Sequence, residues 1–184
     1  MLEWNLLTTL IDLGLDSADY VIIGTGALIS YGLPRQISDL DVLVRGAAWD
    51  KIRAHPDAEF VRGAVSGDDV VKLHGGLLEF SATWFSGSTT AEIIARADLI
   101  PFDDWGTSQN LRFASLADIL EYKTVLGRVK DLDDLSTLPL DPQFTARPLP
   151  LSLSRRVSAP LRRPAGAAPG ARSGTSARPG PRTP

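Results

Sequence analysis

Asp39 and Asp41 stand two residues apart in the run Ser38-Asp39-Leu40-Asp41-Val42-Leu43-Val44, with apolar residues between and after them. Side chains two apart along a strand point to the same face, so both carboxylates project together. Like charges placed this way repel one another unless a cation sits between them, which makes the pair a platform for Mg²⁺, a hard ion that takes carboxylate oxygens. A solvated strand end is the plainer reading of the same three residues. A third carboxylate would complete a two-metal site, in which ions about 3.5–4 Å apart steady the attacking and leaving oxygens of a displacement. Glu79 is the best candidate, as the lone acid of Leu77-Leu78-Glu79-Phe80, and would act there as base as well as metal ligand. A solvent-facing glutamate fits that pattern too, and Asp68 and Asp69 are rivals in a Gly-Asp-Asp context that reads as a turn.

Upstream lies Gly24-Thr25-Gly26-Ala27, directly after the apolar run Tyr20 to Ile23. Glycine lets backbone amides approach phosphate oxygens, and amides opening a helix carry the positive end of its dipole. Gly24 and Thr25 are thus nucleotide-binding candidates, with Arg35 and Ser38, although an ordinary turn has the same look. Downstream, Lys123 falls on the apolar stripe of Leu116, Ile119 and Leu120, so it either snorkels outward or reaches a polar cleft. In a cleft it would neutralise triphosphate charge and count among the catalytic residues. Arg128 and Lys130 fit the same task or serve as surface charges. Asp131 and Asp134, three apart, either orient these cations or favour their helix N-terminus. His55 and His74 lack a ligand partner at useful spacing, and the four Trp are scattered and read as packing residues in preference to a base-stacking platform.

The elements that must position these groups are legible from periodicity and punctuation. Leu6, Leu7, Leu10 and Ile11 give an amphipathic helix over Leu2 to Leu15, and Tyr20 to Ile23 is a short buried strand. A turn or two of helix follows over Gly26 to Tyr31, then the acidic strand Asp39 to Val44 and a helix over Ala47 to Ala54. Phe60 to Arg62 reads as a short strand, and Val70 to His74 and Leu77 to Thr83 as a hairpin joined by Gly75-Gly76. A helix from Ser88 to Ala97 precedes extended segments at Leu99 to Phe102 and Leu111 to Phe113. Two closing helices run from Leu116 to Leu126, stopped by Gly127, and from Lys130 to Leu138, stopped by Pro139. The sum is an α+β domain over residues 1–141, a small mixed sheet flanked by helices.

Charge divides the chain at the same place. Residues 1–141 carry 11 Lys plus Arg against 22 Asp plus Glu, whereas residues 142–184 carry 8 Arg and no acid. An acidic body suits a divalent-cation site better than wholesale gripping of nucleic acid. The segment from Pro142 to Pro184 is Pro, Ala, Arg, Gly and Ser with few large apolar residues, and is expected to be a disordered basic tail, either a solvated appendage or an RNA-contacting arm. With no cysteine, disulfides, thiolate metal sites and a Cys nucleophile are excluded. No stretch reaches the roughly 20 apolar residues of a membrane span, so the expected location is the cytoplasm.

Tyr20 to Val44, YVIIGTGALISYGLPRQISDLDVLV, resembles the signature of the minimal nucleotidyltransferases of the DNA polymerase β superfamily, an hG[GS] motif preceding a helix and a D-x-D strand. LPRQISDLDVLV is similar to the AbiEii-type toxin branch, as is the later pairing of a Lys-bearing helix, Ser115 to Lys123, with Gly127-Arg128-Val129-Lys130-Asp131-Leu132-Asp133-Asp134-Leu135. Thr25 stands where that signature usually has Gly or Ser. The resemblance implies a polymerase β-like core, Gly24 and Thr25 on phosphate, Asp39 and Asp41 on two Mg²⁺ ions, and transfer of a nucleoside monophosphate from an NTP to a hydroxyl. It further implies an RNA or tRNA 3′ end as acceptor and a cognate antitoxin as partner, in a toxin-antitoxin or phage-defence setting. Modification of a protein or small molecule, and a catalytically idle antitoxin-like binding module, remain the alternatives.

Overall fold

The computed structural model describes residues 4–63, 67–85, 87–104 and 107–139, all within the compact unit Met1–Arg147. The tail expected from Pro142 onward lies outside the described residues. Among the described residues, six α-helices and seven strands follow in the order α1 (Trp4–Asp12), β1 (Tyr20–Ile22), α2 (Gly24–Ser30), β2 (Leu40–Val44), α3 (Gly46–Arg53), β3 (Glu59–Arg62), β4 (Asp69–Leu73), β5 (Leu78–Ser81), α4 (Thr90–Ala95), β6 (Asp98–Asp104), β7 (Thr107–Phe113), α5 (Leu116–Leu126) and α6 (Val129–Thr137).

The strands form one mixed sheet in the order β3-β4-β5-β2-β1-β7-β6, which puts β2 at its centre. β2 runs antiparallel to β1 and parallel to β5, and β7 runs parallel to β1. A strand buried on both faces should read as a continuous apolar run. β1 does so, and in β2 Leu40, Val42, Leu43 and Val44 are buried while only Asp41 breaks the run. α2 packs against β2 and α5, and α5 against α6, so the elements carrying the candidate residues adjoin one another. No helix among the described residues is long and apolar enough to cross a membrane.

The expected hairpin appears as β4 and β5, joined through His74–Gly76, where the glycines take positive φ as a tight reversal requires. Boundaries shift elsewhere for local reasons. α1 ends at Asp12 rather than Leu15, and Gly14 follows it with φ 57°. α2 begins at Gly24, two residues before the expected start, so the Gly-Thr-Gly segment is the first turn of the helix rather than a loop before it. α4 begins at Thr90 because Thr89 and Glu92 close a reciprocal capping box, which overrides the weaker Ser88 signal. The extended segments before α5 lengthen into the antiparallel pair β6 and β7.

Candidate active site

The register of β2 and β5 sets Asp41 directly beside Glu79. Asp39 precedes β2 by one residue and points to the same side. Asp39, Asp41 and Glu79 each offer a carboxylate oxygen, and the three oxygens lie within 4.8 Å of one another. Asp68 and Asp69 are not part of this group, and Asp69 instead pairs with Arg62 at 3.2 Å. The Ser38 hydroxyl donates to Asp39 Oδ1 at 2.9 Å, which fixes that carboxylate rather than leaving the hydroxyl free. The Lys72 ammonium donates to Glu79 from the facing residue of β4.

Electrostatics mark Asp41 as the strained member. Burial pushes its carboxyl up from 3.8 to about 6, and the neighbouring Asp39 and Glu79 charges push the same way, with partial relief from Lys130 and Lys123. Gly24 explains part of that enclosure. It sits at φ +64°, and a Cβ there would overlap the Asp41 carboxylate. Close approach to the acid, and not only to a phosphate, therefore demands glycine at this position.

Lys123 is buried, at 1% exposed. Its ammonium donates to Asp134 Oδ2 at 2.7 Å, Asp131 Oδ1 at 3.0 Å and the Thr25 hydroxyl at 3.2 Å. An ammonium has three N–H donors, and these three acceptors use them. The partners of Lys123 within the described residues are thus two carboxylates and Thr25. Thr25 donates in turn to Asp134 Oδ2 at 3.0 Å, and Arg35 donates to Asp134 and, at 3.4 Å, to Asp133. Burial would raise the Asp131 and Asp134 carboxyls, but hydrogen bonds from Arg128 and Lys123 on the first, and from Lys123, Arg35 and Thr25 on the second, hold both below the ordinary value. Both acids are buried partners of Lys123, as the orienting role requires, and Asp131 also lies in the first turn of α6, where its charge favours the helix N-terminus.

A cleft of about 300 Å³ opens beside the carboxylates, lined by Asp39, Asp41 and Glu79 together with Arg128, Lys130 and an aromatic group. Arg128 shares its guanidinium with Asp131, at 2.6 and 3.3 Å, and remains partly exposed. The aromatic group is Trp84, Phe85 and Tyr122, which the sequence reading missed. For Trp84 the sequence favours packing over base stacking, and Tyr122 carries no signal of its own beside Lys123. One available signal was position, since Trp84 and Phe85 follow the strand bearing Glu79. Of the candidate residues, then, Asp39, Asp41, Glu79, Arg128 and Lys130 line one cleft, whereas Thr25, Arg35 and Lys123 meet at Asp134.

No family model matches this sequence, and no curated protein matches it. Among solved structures, the chain is similar to a Thermotoga maritima protein described as a candidate nucleotidyltransferase, at 16% identity and a TM-score of 0.49, over 74% of this chain and 93% of that one. A likeness of that degree carries no argument about activity, which has to be read from the site.

Proposed function

We propose that this chain is a Mg²⁺-dependent nucleotidyltransferase with a polymerase β-like core, moving a nucleoside monophosphate from an NTP to a hydroxyl and releasing pyrophosphate. The observation that carries this reading is the convergence of Asp39, Asp41 and Glu79 on one side of the cleft. The donor set fits the ion: it is all carboxylate oxygen, as a hard divalent cation prefers, and three carboxylate oxygens converge within 4.8 Å of one another. Two Mg²⁺ ions bound there would activate the acceptor oxygen and steady the leaving pyrophosphate. Asp39 and Asp41 would hold the ions, and Glu79 would complete the set.

The acceptor oxygen attacks the α-phosphorus, the α–β phosphoanhydride bond breaks, and the acceptor proton passes to Glu79. Arg128 and Lys130 balance phosphate charge in the cleft. Lys123 is a positioning residue that, through Thr25 and Asp134, fixes the first turn of α2 behind Asp41. The acceptor proposed is an RNA or tRNA 3′ end, with a cognate antitoxin as partner and the cytoplasm as location. The acceptor and the antitoxin rest on the AbiEii-type resemblance alone, and the location on the cysteine-free sequence and its lack of a membrane-length apolar run.

The pairing of Lys72 with Glu79 favours a second reading, an idle nucleotide-binding module, because a cation already occupies the third acid. Incubation with each labelled NTP, Mg²⁺ and total RNA separates the two. Transfer yields labelled RNA and pyrophosphate, both lost in Asp41→Asn. Label on RNA that survives that substitution would sink the site, label on protein alone would move the acceptor, and binding without pyrophosphate would establish the idle module.

A further inference from the structure

One wall of the cleft is aromatic, and nothing in the transfer chemistry requires it. Trp84 is 7% exposed and lies against Tyr122 with ring centroids 5.1 Å apart and planes tilted by 32°. Phe85 meets the same ring edge-on, at 6.0 Å and 82°. Phe85 itself is 36% exposed, and all three rings line the cleft that holds the carboxylates and the cations Arg128 and Lys130. Ordinary core packing would bury these rings away from charge. Here a buried tryptophan backs a tyrosine that still faces an acidic, cation-lined cavity.

We propose that Tyr122, supported by Trp84 and flanked by Phe85, is the stacking surface for the base of the nucleotide donor. The assignment rests on the nucleotide reading above and deepens it. Cavity size agrees, since about 300 Å³ is at the small end of ligand pockets and suits one mononucleotide. Stacking is tolerant of base identity, because every base has a π-face. The wall thus selects for the presence of a base more than for which base it is.

The test is titration calorimetry of the full chain in Mg²⁺, comparing ATP with ribose 5-triphosphate, which keeps the sugar and phosphates and lacks the base. Wild type should bind ATP about 5- to 100-fold more tightly, the range typical of one base on an aromatic ring. Tyr122→Leu should erase most of that preference, Tyr122→Phe should keep it, and Phe85→Ala, at a half-exposed position, should reduce it. Equal wild-type affinities for the two ligands would overturn the stack while leaving the nucleotide reading intact. Preference that survives both Tyr122→Leu and Phe85→Ala would do the same. Failure to bind either ligand would overturn both.

Discussion

Replacing Asp41 by asparagine should stabilise the metal-free protein while abolishing its activity. The carboxyl rises from 3.8 to about 6 on folding, which corresponds to at most about 3 kcal/mol at roughly 1.36 kcal/mol per pH unit. The sign follows from the protons bound. Above pH 6 the carboxylate is charged in the folded and unfolded chains alike, and the folded state carries the whole penalty. As pH falls from 6 towards 3.8 the folded state takes up the proton first, so wild-type stability climbs and the penalty fades. Asparagine never carries it. In EDTA at pH 7.5, urea unfolding should therefore place Asp41→Asn above wild type by up to about 3 kcal/mol, with the gap closing near pH 4. Added Mg²⁺ should stabilise wild type, by mass action, and leave the variant unmoved. A variant no more stable than wild type at pH 7.5 in EDTA would refute the electrostatic account. So would a gap of equal size at pH 7.5 and pH 4, since that would point to packing.

Lys123→Met removes a buried cation from between Asp131 and Asp134 and should cost about 3 kcal/mol, the low end for breaking a buried pair because Arg128 and Arg35 remain, as read by urea unfolding. In wild type both acids are held below their ordinary value, so their contribution is present above pH 3.8 and is lost as pH falls through the folded values; the acid limb of the stability profile should flatten in this variant. Gly24→Ala should cost about 1–2 kcal/mol for its left-handed backbone and, by displacing the Asp41 carboxylate, erase the Mg²⁺-dependent rise in Tm. Lys72→Met frees Glu79 and should tighten Mg²⁺ binding several-fold by calorimetry, whereas weaker binding would show that Lys72 supports the metal ligands instead of competing with them.

Much of the fold was legible because its signals are local. The apolar run Tyr20 to Ile23, the Gly75-Gly76 reversal and the Ser115 and Gly127 ends of α5 each depend on a few neighbouring residues, and each matches an observed element. Glu79 stood out as an acid inside an apolar strand, but its place beside Asp41 depends on parallel pairing of β2 with β5, which no short window of sequence encodes. The partners of Lys123 were half legible. Its burial follows from helical periodicity, while the direction of its ammonium depends on how α6 packs on α5. The aromatic wall was hardest, because Trp84 and Tyr122 are 38 positions apart in the sequence and Trp84 lies outside both motif-like segments.

The Thr25 to Asp134 hydrogen bond joins residues 109 positions apart. A chain growing from its N-terminus carries all three carboxylates once Glu79 has been made, yet Thr25, in the first turn of α2, lacks its Asp134 acceptor until α6 exists. Closing so long a loop is entropically unfavourable and tends to come late in folding. The three carboxylates and the turn that presses on Asp41 are thus completed by different parts of the chain. Nascent or truncated chains ending before Asp134 would hold the acids without the brace, so competence should arrive in one step with the last helix.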